Sequence, residues 1–135
     1  RKGMENPRIL VVEDDKDING LVAYNLRKHG FLVEQVFDGL DARKALAQEF
    51  FPIVILDIML PGIDGFDICR DIKASITGAK SYVIMISAKG SEKDKLYAHI
   101  LGADCYIAKP FFVKDLISVV KEINALLTKE YTVKP

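Results

Sequence analysis

Apolar residues along this chain follow two alternating patterns: short solid runs, and longer stretches in which they recur every three or four positions. The runs are ILVV at 9–12, LVEQVF at 32–37, IVIL at 53–56, YVIMI at 82–86 and a weaker CYI at 105–107. Three of them are almost continuously hydrophobic, the pattern of parallel strands covered on both faces. Between the first two, Ile18, Leu21, Val22 and Leu26 repeat at helical spacing, and Gly30 stands where that helix would stop. Asp38 is placed to cap a second helix that reaches Glu49, ahead of the helix-breaking Pro52. Asp64 caps a third over 66–74 with Gly78 beyond it, and Ser91 a fourth that ends near Gly102. The last helix is the clearest: Val113, Leu116, Ile117, Val120, Ile123, Asn124 and Leu127 form one stripe with a single polar interruption.

Strand–helix alternation repeated five times implies a parallel sheet with helices on both faces. Right-handed crossovers leave few topologies. The expectation is an α/β fold: a flavodoxin-like, doubly wound, five-stranded parallel sheet of order 2-1-3-4-5 with five helices. The 135 residues fit one domain, expected over 7–127. Residues 1–6 read as an N-terminal tail or a remnant of expression, with Met4 as the natural start. The polar 128–135 reads as a C-terminal tail or the start of a linker.

Composition narrows the function. Lys plus Arg and Asp plus Glu each number 19, so the chain lacks the basic bias of an electrostatic nucleic-acid binder, and no basic recognition helix is visible. No direct nucleic-acid binding is expected of this fragment. No apolar run approaches the roughly 20 residues of a membrane helix. Cys69 and Cys105 lie far apart, outside any CxxC unit, and fit reduced thiols in a cytoplasmic protein better than a disulfide framework.

The chemistry lies where runs end. ILVVEDD breaks from apolar residues into Glu13, Asp14 and Asp15, and IVILD ends on Asp57. In the expected order the first and third strands are neighbours at the switch point, so Glu13, Asp14 and Asp57 converge there. Crowded like charges are unfavourable without a compensating cation or proton, which points to a divalent-metal site. Ser87 directly follows the fourth run and Lys109-Pro110 the fifth, both at the same edge. The loop Ile58-Met59-Leu60-Pro61-Gly62 suits a tight turn of type II. Each element alone is bland. A short acidic run is usually a solvated helix start, a serine after a strand a cap, and a lone lysine surface.

Together, ILVVEDD, VILDIMLPGIDG, MISAKG and GADCYIAKPF, in that spacing, resemble the receiver domain of bacterial two-component response regulators over most of the chain. The resemblance implies that Asp57 is the phosphoacceptor and that Glu13 and Asp14 are the acidic pair holding Mg²⁺, with the Met59 carbonyl as a further ligand. Asp15 is left to cap the first helix. Ser87 would bond a phosphoryl oxygen with help from the Ala88 N–H, Lys109 would pair with another, and Pro110 matches the family's cis-proline. Tyr106 resembles the switch aromatic that follows Ser87 when phosphate arrives. The implied partners are a sensor histidine kinase or phosphotransfer protein, and an output domain or downstream protein. The implied output surface is the fourth helix, fifth strand and fifth helix, with a homodimer through that face as a further option. Departures are small: Ser for the commoner Thr at 87, and Ala108 before the lysine. Met59 and Lys89 stand where the family sets phosphate lifetime, and neither offers a group to orient water, so a lifetime of minutes or more is expected.

Other classes fit less well. An aspartyl-nucleophile phosphatase wants a second carboxylate two residues on, where Met59 stands. A flavin or nucleotide domain wants a glycine-rich loop after the first strand, and an acidic triplet is there instead. A degenerate receiver acting only as an interaction module would lack site residues that are all present.

Overall fold

The computed structural model describes residues 7–88 and 90–132, and side chains through residue 129. Positions 1–6, Lys89 and 133–135 lie outside the described residues. With them fall the expected N-terminal tail, one of the two positions tied to phosphate lifetime, and the end of the expected C-terminal tail.

Five strands, β1 (Arg8–Val12), β2 (Leu32–Val36), β3 (Ile53–Asp57), β4 (Tyr82–Ser87) and β5 (Cys105–Ala108), alternate with five helices. These are α1 (Lys16–Lys28), α2 (Gly39–Gln48), α3 (Gly65–Ala74), α4 (Glu92–Ile100) and α5 (Val113–Thr132). All pairings are parallel and the strand order is β2-β1-β3-β4-β5, as the alternation implies. The central strand β3 is buried at every position, whereas the edge strands β2 and β5 are largely half-exposed. That is why the second and fifth runs read as the less hydrophobic ones.

Successive strand residues point to opposite faces, so the sheet divides two cores. Leu10, Val12, Val54, Leu56, Val83 and Met85 pack with Ala42, Phe66, Ile68 and Ile72 under α2 and α3. Ile9, Val11, Ile53, Ile55, Ile84 and Ile86 pack with Val22, Leu26, Leu116 and Val120 under α1 and α5. The caps are those expected. Asp15, Asp38, Asp64 and Ser91 accept from backbone N–H groups in the first turns of α1, α2, α3 and α4.

Three details differ from the sequence pattern. Leu21 is exposed, and the buried stripe of α1 is Asn19, Val22, Ala23 and Leu26. Spacings of three and four carry the stripe through Asn19, and Leu21 falls off it. The helix α5 continues to Thr132, past Leu127. Finally, the bend at Gly62 (φ +83°) is closed by Ile63 N–H donating to Pro61 O rather than to Leu60 O, so it is tighter than a type II turn. Among the described residues no helix is long and apolar enough to cross a membrane.

Gly65 ties α3 to the end of β3. Its N–H donates to Ile58 O at 2.8 Å, and a Cβ there would overlap the Asp57 carbonyl oxygen and Ile58 Cα. Gly65→Ala is therefore expected to cost about 1–3 kcal/mol of stability, the usual range for overpacking. Urea unfolding checks this, and an unchanged midpoint would show that the β3 end is not tightly packed there.

Candidate functional site

The sheet order brings four strand ends to one edge. Glu13 directly follows β1, Asp57 is the last residue of β3, Ser87 the last of β4, and Lys109 directly follows β5. Val12 pairs with Leu56, which sets Glu13 beside Asp57. Ser87 pairs with Ala108, and Lys109 N–H donates to Ser87 O at 2.8 Å. The lysine side chain spans the tip of β4. Its Nζ donates to Asp57 Oδ2 at 2.7 Å and lies 2.8 Å from Glu13 Oε1.

Glu13 and Asp57 are both buried, and Asp14 is exposed. One oxygen from each of the three lies within 4.8 Å of the others, close enough to share a cation. Asp57 Oδ1 accepts from Met59 N–H at 3.0 Å, and Glu13 Oε2 from Asp15 N–H at 3.0 Å. Glu13 Oε1 forms its ion pair with Lys109 but receives no hydrogen bond of good geometry. A buried carboxylate oxygen left with spare acceptor capacity fits a hard divalent ion such as Mg²⁺, as does an all-oxygen donor set.

Electrostatics follow from this crowding. Burial pushes the Glu13 carboxyl up to about 7, with the Asp57 charge adding and the Lys109 ammonium and the Asp15 N–H opposing. For Lys109 burial acts downward, but the bonds and charges of Asp57 and Glu13 outweigh it and hold the ammonium above its ordinary value. The thiols take no part. Burial raises both Cys69 and Cys105, and Cys69 is fully enclosed.

Ser87 is buried, and its side chain hydrogen-bonds to Tyr106 on β5. Tyr106 is half-buried against the core beneath α3 and α4. Ala88 is exposed directly beyond Ser87, Met59 is exposed in the loop after β3, and the Lys109–Pro110 peptide bond is cis. The structure thus brings Glu13, Asp14, Asp57 and Lys109 together and sets Ser87 and Tyr106 as a linked pair beside them.

Sequence reading missed two groups. One is the direct Lys109–Glu13 contact, for which a lysine three strands away in the sheet gives no signal. The other is Asn19, buried on α1 with its amide on the Glu13 carbonyl. Its signal was available, because an asparagine in phase with Val22 and Leu26 must satisfy its amide inside the core.

A family model describing the response regulator receiver domain matches residues 9–121. Among solved structures, a CheY-like receiver domain protein of Methanospirillum hungatei superposes with a TM-score of 0.86 at 28% identity, covering 93% of this chain and 98% of that one. DrrB of Thermotoga maritima, an OmpR/PhoB homologue, gives 0.81 at 33% identity over 93% of this chain and 54% of its own. The receiver domain of a sensor histidine kinase from Pseudomonas aeruginosa, solved with magnesium coordinated in its active-site cleft, gives 0.80 at 27% identity over 89% of this chain and 98% of its own.

The raised Glu13 value has a thermodynamic consequence. Between about pH 4.5 and 7 the folded chain keeps a proton that the unfolded chain has released. Stability from this group is then full below that window and is lost as pH rises through it. In EDTA, Glu13→Gln is expected to remove this downward slope, measured as urea unfolding free energy against pH. Equal slopes for the two proteins would mean that Glu13 titrates normally.

Proposed function

The chain belongs to the response regulator receiver domain family, and on that premise we propose that it is a phosphorylation-driven switch in which Asp57 accepts a phosphoryl group from a histidine of a partner kinase or phosphotransfer protein. Receiver domains are signalling domains, and the acceptor here is the domain's own carboxylate. One observation carries the reading: Asp57 sits buried at the end of β3 with Lys109 Nζ 2.7 Å from one oxygen and Met59 N–H 3.0 Å from the other. These contacts orient both oxygens of the carboxylate at the rim.

The Asp57 carboxylate attacks phosphorus, and the bond to the donor nitrogen breaks as an acyl phosphate forms. Catalysis of such a transfer is mostly positioning and charge neutralisation on the equatorial oxygens. Glu13, Asp14 and Asp57, with the Met59 carbonyl, would hold Mg²⁺, which supplies positive charge to the incoming phosphoryl oxygens. Lys109 shifts its donor from Asp57 to a phosphoryl oxygen. The Ser87 hydroxyl and Ala88 N–H serve another.

The Ser87–Tyr106 bond supports a route outward. A Ser87 hydroxyl drawn to phosphate changes what Tyr106 bonds to, and so what β5 presents. That biases a two-state equilibrium of the α4-β5-α5 face. Leu96 and Ile100 on α4 and Phe112 before α5 are exposed there for an output domain, a downstream protein or a second copy. The setting that fits these partners is the cytoplasm.

Incubation with acetyl phosphate and Mg²⁺, followed by intact mass, is expected to add one hydroxylamine-labile phosphoryl group. EDTA or Asp57→Ala should abolish it, and Lys109→Ala should slow it roughly 10²-fold. Modification that survives Asp57→Ala would overturn the assignment. The phosphorylated domain alone should lose its group over minutes or longer, because Met59 cannot orient a water. Loss within seconds would contradict that role.

A further inference from the structure

The buried amide of Asn19 is used by nothing in the mechanism above. Asn19 is fully enclosed in the first turn of α1, and its Nδ2 donates to Glu13 O at 2.9 Å and to Val36 O at 3.0 Å. Both acceptors are carbonyls, so the amide orientation is fixed by chemistry: only the NH₂ end can face them. The opposite end is locked as well, because Gln35 Nε2 donates to Asn19 Oδ1 at 2.8 Å. Gln35 is itself held by Arg27 Nη1 at 3.0 Å, and Arg27 Nη2 reaches Val33 O at 2.8 Å. A chain of side-chain bonds thus runs from α1 across β2 to the tip of β1.

That tip is where Glu13 and Asp14 stand. The peptide between them is planar, so fixing the Glu13 carbonyl fixes the plane from which Asp14 departs. Asp14 has no hydrogen bond or ion pair of its own among the described residues. Its place within 4.8 Å of Glu13 and Asp57 is therefore set by the backbone it departs from and its own rotamer, with no side-chain partner to correct it. The backbone is held from one side by Glu13 N–H donating to Val36 O at 3.2 Å, and from the other by Asn19.

We infer that Asn19 is a positioning residue for the divalent-cation site: its amide clamps the Glu13–Asp14 peptide so that both carboxylates meet Asp57 at one point. The inference rests on the Mg²⁺ reading above. Outer groups of this kind typically contribute 10–100-fold to metal affinity. The effect belongs to cation binding, not to transfer itself, and that separates it from general loosening.

Mg²⁺ alone is titrated by calorimetry, and acetyl phosphate transfer is measured against Mg²⁺ concentration. Asn19→Ala is expected to raise the half-saturating Mg²⁺ about tenfold while the rate at saturating Mg²⁺ stays within about twofold of the unmodified protein. Asn19→Ser, which keeps one donor, gives a smaller rise. Gln35→Leu, which frees only the far end of the amide and lies on an edge strand, gives about a twofold rise. If Asn19→Ala does not fold, these two decide. Leu127→Ala, a core truncation remote from the site, is expected to lower stability and leave the Mg²⁺ midpoint alone. Unchanged Mg²⁺ affinity in the Asn19 and Gln35 variants overturns the inference and leaves the switch reading intact, as does an equal shift in Leu127→Ala. Absence of Mg²⁺ binding by the unmodified protein overturns both.

Discussion

Glu13 and Asp57 are two acids of like charge buried side by side at the tip of a hydrophobic sheet, and one ammonium holds them there. Lys109 lies within 2.8 Å of each. Without a cation such a pair is costly to bury, because desolvation and mutual repulsion both oppose it. Reaching both requires the lysine to leave β5, span β4 and arrive over β3, which fixes the relative height of three strands. The order β2-β1-β3-β4-β5 and the register of Ser87 with Ala108 are the backbone conditions for that single contact. The same contact leaves the pair of acids with less than full neutralisation, since one Glu13 oxygen still lacks a well-directed donor.

Much of this was readable from residue order. Solid apolar runs mark β1, β3 and β4 because strands covered on both faces tolerate no polar position. Acids directly after such runs can only lie on the sheet's rim, so Glu13 and Asp57 were assignable from the sequence, and Lys109 followed from its place after the weaker fifth run at the same edge. The capping residues Asp15, Asp38, Asp64 and Ser91 were legible for a local reason: a side-chain oxygen needs only the next turn to find its partners.

What was not legible depends on distant parts of the chain. The Lys109–Glu13 distance spans most of the sequence and no periodicity encodes it. Leu21 looks like core because leucine usually is, yet three- and four-residue spacing puts Asn19 inside and Leu21 out. The Ser87–Tyr106 bond depends on a rotamer, which sequence does not carry. The bend after Asp57 came out tighter than a type II turn, and Gly62 gave no signal of it, because both geometries use its positive φ.

The longest helix has a mechanical meaning of its own. The 20 residues of α5 begin just past Pro110, at the rim that holds the acids, and Leu127 ends up beside Tyr82 at the opposite rim. At 1.5 Å per residue that is a rod of about 30 Å. Anything fused beyond it stands a full sheet-length from the chemistry and out of reach of its charges, which ions screen within about 8–10 Å. Because Leu116, Ile117, Val120, Ile123 and Leu127 bury one side of it against the sheet along most of its length, the acid rim and anything joined at the far end share one continuous packed helix.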